Sequence, residues 1–587
     1  MDNDFKEKYH EVRNVVSLKD MLDSSAELYA QRPAFLVKKE KGGDYCEINY
    51  AQVKNDVDAL GTKLMTMGLK DAKIAIIGEN CYEWIISYFA VVNGTGIVVP
   101  LDKELSRDEI YNLLKTADCK AIFYTKSYEE YFKDYDIEYK IEMKVYGDRT
   151  DLSRPLTVNQ NKSNNGSEIL IWEDMVASGE KLVAAGHRTF IDAEIDPYVM
   201  KIILFTSGTT DSAKGVMLCH NNVVSNIMDT GKLVKITEND RTLSILPIHH
   251  TFESTMGMTL ILYHGASAAF FEGLKYVTKN LAEAQATILI GVPLIFESIY
   301  DKIWKQVEKQ GKENTLRKAI KVNNKLKTMG IDLSKKLFKS VHEKFGGKLR
   351  LIVTGAAAID PNVSRGFMDL GFMVSQGYGL TECSPLVTGC PDFGNRYKKA
   401  GSAGICVPSG EIKIIDKDED GIGEIIYKGP NVMLGYYNLP EKTNEILKDG
   451  WFYTGDLGFL DEDGWLYITG RKKNVIVTKT GKNIYPEEVE YYINRNKYIQ
   501  ESLVHGIIGV DNDDMVSAQV RPNYDVIYEE FGESFGDEEV QSLIKRVISE
   551  INEKLPIYKR VRDFSVRKDE FIKTTTKKIK RHQNIIK

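Results

Sequence analysis

Six short runs constrain the fold of this chain more than anything else in it. KIAIIG (73–78), AIFYT (121–125), KIILFTS (201–207), TLSILPI (242–248), ATILIGVP (286–293) and LRLIVTG (349–355) are nearly continuous in apolar residues, and amphipathic helical patterns separate them. A strand with one wet face alternates apolar and polar residues, whereas one that is apolar throughout needs cover on both faces. The expected fold class is therefore α/β, with mostly parallel, covered sheets in a large N-terminal domain of several subdomains. At 587 residues the chain is too long for one core.

After about residue 409 the pattern changes to short strands and turn signals: GEIKIID, GEIIYKG and DEDGWLYITG. The DEDG turn at 461–464 reads as a hairpin. From Arg471 the runs VIVT, VHGIIGV and AQVRP are interleaved with two helices, one opening at Pro486 ahead of Glu487 and Glu488 and one over 538–554. This predicts a small α+β C-terminal domain, giving domains at 1–470 and 471–587. The asparagine-rich stretch 157–168 reads as an exposed loop.

Composition excludes several classes. Hydrophobic residues at 43% and charged residues at 28% fit a globular protein, and a net charge of −6 argues against wholesale nucleic-acid binding. Seven cysteines without C-x-x-C spacing suit a reducing cytoplasm better than a disulfide framework or a cysteine zinc site. The start, MDNDFKEKYHEV, has no apolar stretch of a secretory signal. WIISYFAVVNGTGIVVPL (84–101) has nearly the length of a membrane span, but Asn93-Gly94-Thr95-Gly96 breaks it, so a buried helix, a turn and the strand IVVP are expected. The location expected is cytoplasmic.

Four strings carry chemistry. In LFTSGTTDSAKGVM (204–217), the hydroxyls of Thr206, Ser207, Thr209 and Thr210, the glycines Gly208 and Gly215, and the cation Lys214 follow an apolar strand. Glycines let backbone N–H groups face an anion, hydroxyls add donors and lysine adds charge, which suits a polyphosphate. The spacing is not the Walker A pattern, and a surface Ser/Thr turn reads the same way in isolation. In QGYGLTECSP (376–385), Tyr378 offers a ring on which adenine can stack and Glu382 a hard oxygen for Mg²⁺. A buried tyrosine and a surface glutamate are the alternative. In WFYTGDLGFLDEDGWLYITGRKKN (451–474), Asp456 stands in a glycine-flanked turn suited to chelating a ribose diol, within reach of Arg471. KTTTKKIKR (573–581) reads by composition as a solvated basic tail.

Taken together and in order, TSGTTDSAKG, YGLTE, YTGDLG…GRKKN and KTTTKKIKR resemble the adenylate-forming (AMP-binding) enzyme superfamily of acyl-CoA synthetases, luciferases and peptide-synthetase adenylation domains. The resemblance covers essentially the whole chain. LPIHHTFE (246–253), the insert near 300–345 and GRKKNVIVTKTGKNIYPEEVE look most like long-chain fatty acyl-CoA synthetases.

The resemblance implies an acid–thiol ligase with ATP, Mg²⁺ and coenzyme A, which activates a fatty acid through an acyl-AMP and releases AMP and diphosphate. It assigns Thr206, Ser207, Gly208, Thr209, Thr210 and Lys214 to the β- and γ-phosphates. Gly355, Ala356, Gln376, Gly377 and Tyr378 would form the adenine slot, and Thr381 would meet the α-phosphate. Glu382 would hold Mg²⁺, Asp456 and Arg471 the ribose, and Lys473 would be an interdomain hinge. Lys578 falls on the catalytic lysine, which reverses the reading of the tail, and His250 falls at the acyl pocket.

Three departures stand out. Asp211 and Ala213 replace a usual glycine and proline, Lys577 replaces a glycine and leaves the register between Lys577 and Lys578 open, and Asn474 stands where an acid is common. The absence of an aspartate from LPIHHTFE disfavours amino acids as the substrate. Alternatives left open are an acyl carrier protein as the thiol acceptor, a luciferase-like oxygenase and a nucleotide-binding pseudoenzyme. The lysine-rich segment 312–345 (Lys318, Lys321, Lys325, Lys335, Lys336, Lys339) is either a solvated helix pair or a peripheral contact with the inner face of a membrane.

Overall fold

The structure is a computed structural model that describes residues 8–146, 169–206, 213–478, 482–508, 514–573 and 579–585. Its contacts divide the chain into two compact units. The first takes in the chain up to Glu411 together with Lys428–Gly450; the second takes in Ile412–Tyr427 and the chain from Trp451 onward. The small domain expected at 471–587 thus lies wholly within the second unit, which also includes 412–427 and 451–470.

Two large mixed sheets build the first unit. Among the described residues one runs in the order Gly435–Tyr436, Lys214–Cys219, Met200–Thr206, Ile97–Pro100, Lys73–Ile77, Cys119–Thr125, Tyr139–Met143 and Ile169–Ile171. From Met200–Thr206 outward its neighbours are parallel, while Lys214–Cys219 folds back antiparallel. The other sheet has a parallel centre that includes Arg241–Ser244, Ile288–Gly291, Leu351–Thr354 and Met373–Gly379. All six apolar runs are strands, and the expected α/β class with covered sheets is what the chain adopts. Ile74, Ile76, Ile122 and Ile203 are each no more than 0% exposed, as strands covered on both faces must be.

The break at Asn93–Gly96 is also present. The helix Tyr82–Ala90 passes into a π-turn at Val91–Thr95, where Gly94 takes φ 157°, and the strand Ile97–Pro100 follows. No helix of the described residues is long and apolar enough to cross a membrane.

In the second unit, Trp451–Leu460 and Leu466–Arg471 form the expected antiparallel hairpin around Asp461–Gly464. Farther along, Ile499–Ile508, Asp514–Pro522 and Asp563–Val566 form a sheet packed against the helices Pro486–Ile493 and Asp537–Lys554. Val489, Ile493, Val504, Val520, Ile544 and Val547 make up much of its core.

Candidate active site

The site of the first unit gathers at the carboxyl ends of its parallel strands, where open α/β sheets ordinarily bind ligands. Thr206 ends one strand and Lys214 opens the next, directly opposite it in the antiparallel register. The Thr206 hydroxyl donates to the Lys214 carbonyl at 3.4 Å. Gly215 is closely packed, since a Cβ there would lie 3.0 Å from Ile203 and 3.2 Å from Phe205 and Tyr437 and would press on them. Ser207, Gly208, Thr209 and Thr210, with Asp211, lie outside the described residues. Ala213 is exposed at the mouth of the hairpin.

Gly435–Tyr436 pairs antiparallel with the far side of Lys214–Cys219, placing Tyr436 opposite Val216. The Tyr436 ring lies 4.9 Å from the Lys214 ammonium, within cation–π range. Its hydroxyl donates to Glu382 Oε1 at 2.8 Å. One tyrosine therefore joins the cation of the phosphate loop to the carboxylate assigned to Mg²⁺. Sequence reasoning missed Tyr436, because the string MLGYYNLP carries no local sign of a partner 54 residues away.

Glu382 and Thr381 sit on the short 3₁₀ turn Thr381–Cys383. Buried amides hold that turn from two sides. Asn226 exchanges both hydrogen bonds with the Leu386 backbone, at 2.8 and 3.1 Å, and Asn431 donates to the Cys383 and Leu386 carbonyls at 2.7 and 2.8 Å. The Met433 amide donates to the Glu382 carbonyl at 2.8 Å. With so much of its backbone engaged, the turn presents its side chains from a rigid base, as a metal ligand requires.

The residues assigned to adenine are neighbours as well. Leu351–Thr354 and Met373–Gly379 are parallel with Thr354 opposite Gln376, so Gly355 and Ala356 emerge beside Gln376, Gly377 and Tyr378. A Cβ on Gly355 would come within 3.1 Å of Phe252 and 3.3 Å of the Gly377 carbonyl. Ala356 takes φ 68°, a left-handed conformation costly for alanine and typical of backbone constrained for a purpose. Tyr378 is half-buried, neither the fully buried tyrosine of the alternative reading nor a free surface ring.

In the second unit, Asp456 and Arg471 stand opposite each other across the hairpin, with Arg471 Nε 2.7 Å from Asp456 Oδ1. Thr454 accepts the Asp456 amide at 3.0 Å and donates to the Ile425 carbonyl at 2.7 Å, so the carboxylate is seated from below. Lys473 is exposed on the 3₁₀ turn Lys472–Asn474 that follows. The departure at Asn474 has a local reason: its amide donates to Glu487 Oε1 at 2.7 Å, where an acid would meet a second carboxylate. Lys577 and Lys578 lie outside the described residues.

His250 is half-buried and packs on His249, with ring centroids 4.1 Å apart. Three residues on, Glu253 lies in the π-helical turn Phe252–Thr259 and is 1% exposed. Burial pushes its carboxyl up to about 8, although Ser244 and the Leu246 backbone lie close enough to oppose part of that rise.

Residues 22–437 match the family model described as AMP-binding enzyme. The chain is 32% identical over 488 residues to long-chain-fatty-acid–CoA ligase 1 of Cavia porcellus, covering 78% of this chain and 67% of that protein. It is 31% identical over 507 residues to long-chain-fatty-acid–CoA ligase 1 of Homo sapiens, with 78% and 67% covered. In fold it is similar to the anthranilate CoA ligase AuaEII in complex with anthranoyl-AMP (TM-score 0.73, 19% identity, 98% of this chain and 96% of that one). It is also similar to a Mycobacterium tuberculosis fatty acyl CoA synthetase (TM-score 0.62, 20% identity, 97% and 98% covered). With the family model matched over most of its length and relatives of 31–32% identity covered to two thirds, the chain belongs to the AMP-binding enzyme family.

Proposed function

We propose that this protein is an AMP-forming acid–thiol ligase that converts a long-chain fatty acid to its coenzyme A thioester. The observation that carries this reading is the convergence of Thr206, Lys214, Tyr436 and Glu382 beside the backbone slot formed by Gly355, Ala356, Gln376 and Gly377. That is a set of donors, one cation and one hard carboxylate next to that backbone, which suits a nucleoside triphosphate. The substrate class is supported by the names of the relatives above and by the absence from LPIHHTFE of an aspartate to meet an ammonium group.

A fatty carboxylate is a poor electrophile. In the first half-reaction its oxygen attacks the α-phosphorus of ATP, the bond from that phosphorus to the bridging oxygen breaks, and diphosphate leaves. Positioning and charge neutralisation supply most of the catalysis in such displacements. Thr206 and Lys214 would hold the departing phosphates, with Ser207, Gly208, Thr209 and Thr210 completing the loop, and Thr381 would meet the α-phosphate. Glu382 fits Mg²⁺ as a hard oxygen ligand on a braced turn, and the ion when bound would offset phosphate charge. Tyr378 would cover adenine, Asp456 and Arg471 would hold the ribose, and Lys578 would bring the final cation to the developing charge. In the second half-reaction the thiol sulfur attacks the acyl carbon and AMP leaves. Lys473 would be the hinge that withdraws Lys578 between the two steps, and His250 would border the acyl chain.

A peripheral contact with an anionic membrane surface belongs to the same proposal. The helices Glu313–Lys327, Ser334–Leu337 and Lys339–Lys344 and the connection between the first two expose Val322 (58%), Met329 (69%), Ile331 (46%) and Leu337 (45%) among Lys318, Lys321, Lys325, Lys335, Lys336 and Lys339. Phe338 and Val341 from the same segment are buried and anchor it. Exposed apolar side chains ringed by lysines are the composition of an interfacial helix.

The test is acid-dependent ATP–pyrophosphate exchange across saturated acids from acetate to stearate, followed by addition of coenzyme A. Exchange that peaks at long chains, with thioester formed on addition, is the expected result. Exchange with no thioester would move the acceptor to a carrier protein, and no exchange with any acid would sink the proposal.

A further inference from the structure

His250, assigned above to border the acyl chain, has two neighbours that no step of the proposed chemistry uses, His249 and Asp102. Asp102 follows the strand Ile97–Pro100, and His249 and His250 follow the strand Arg241–Ser244. One ligand atom from each of the three lies within 4.8 Å of the other two. His249 is only 5% exposed, and its Nε2 has no hydrogen-bond partner. It faces Asp102 Oδ1 at 3.5 Å without the alignment of a hydrogen bond. The buried imidazole and the carboxylate thus form an ion pair looser than a hydrogen bond.

The separation of His249 from Asp102 is that of two metal ligands. A hydrogen-bonded pair would close to about 2.7–3.2 Å. Two donors each about 2.0–2.1 Å from a tetrahedral zinc ion stand about 3.3–3.4 Å apart. The 3.5 Å between His249 and Asp102 fits that edge, and His250 offers a third donor within 4.8 Å of both. The scaffold is already held. The Glu104 amide donates to Asp102 Oδ1 at 2.9 Å, and the His250 carbonyl accepts the amides of Glu253 and Ser254 at 3.0 and 2.9 Å. Such outer bonds orient ligands before an ion arrives.

We propose that Asp102, His249 and His250 form a binding site for a divalent transition-metal ion of the zinc type, separate from the Mg²⁺ assigned to Glu382. Two imidazoles and one carboxylate select zinc or cobalt over magnesium, which prefers oxygen throughout. Three protein ligands leave a fourth position open to water. The site does not depend on the ligase reading.

The experiment is titration of the chelator-stripped full-length protein with Co²⁺, followed by visible absorption. One equivalent is expected to bind with the intense absorption of a four-coordinate ion, to be displaced by Zn²⁺ and to resist Mg²⁺. His249→Gln and Asp102→Asn should each weaken binding at least tenfold, while Glu382→Gln should leave it unchanged. If His249→Gln fails to fold, the partly exposed Asp102→Asn carries the comparison. No stoichiometric binding, displacement by Mg²⁺, or binding that survives Asp102→Asn would overturn the proposal.

Discussion

Tyr436 donates its hydroxyl to Glu382 at 2.8 Å while its ring lies 4.9 Å from the Lys214 ammonium. Two groups of opposite charge, both of which the proposed function assigns to one triphosphate, are thereby fixed relative to each other. Preorganisation of this kind lowers the reorganisation needed at the moment of reaction.

Removing the hydroxyl should therefore damage turnover more than folding. Tyr436→Phe keeps the ring under Lys214 and loses one charge-assisted hydrogen bond, an effect of about 1.5–3 kcal/mol. Pyrophosphate exchange should fall by about tenfold or more, with the KM for MgATP raised and the melting temperature nearly unchanged. An exchange rate equal to that of the unaltered protein would show that Glu382 needs no such partner.

Lys578→Ala should abolish acyl-AMP formation from acid and ATP while sparing thioester formation from preformed acyl-AMP. Lys577→Ala should have a small effect on both. The reverse pattern would place the catalytic cation one residue earlier in KTTTKKIKR.

Acid should destabilise the first unit through His220. Its Nδ1 accepts the Leu18 amide at 3.0 Å, so the ring proton sits on Nε2, 3.1 Å from the Val92 carbonyl. Burial lowers its pKa to about 4 from the usual 6.5, with the bond to Val92 opposing part of that shift. Below pH 6.5 the unfolded chain takes up a proton that the folded chain refuses. Stability is thus fully present above that pH, and is lost as pH falls toward 4 at no more than about 1.4 kcal/mol per unit. His264, lowered to about 4 by burial, works in the same direction. Urea midpoints measured between neutral pH and pH 4 should fall for the unaltered protein, and fall less steeply for His220→Gln.

Asn474→Asp restores the acid common among relatives but sets it against Glu487, now 2.7 Å away. The expected cost is about 1–2 kcal/mol, read as a lower denaturation midpoint of the second unit. Asn474→Ser should be milder. An unchanged midpoint for the aspartate would mean that the two carboxylates move apart freely.

If the 312–345 surface meets lipid, the protein should sediment with anionic vesicles and not with zwitterionic ones, and high salt should release it. Replacing Lys335, Lys336 and Lys339 with glutamine should release it as well. Equal sedimentation with both vesicle types would reduce the segment to a solvated helix pair.

What the sequence determined by itself was whatever is written locally. The six apolar strands, the broken stretch at Asn93–Gly96, the DEDG hairpin and the helix opening at Pro486 each depend on neighbours a few residues away, and all are present. The order of the motifs was enough to indicate the family. Which groups meet was decided only by the tertiary structure. Tyr436 reaches Lys214 through the strand pairing of Gly435–Tyr436 with Lys214–Cys219, and Asp102 comes to face His249 by the packing of separate elements. Periodicity and turn chemistry act over one or two turns of chain, whereas a hydrogen bond between residues far apart in sequence exists only after the sheets have closed.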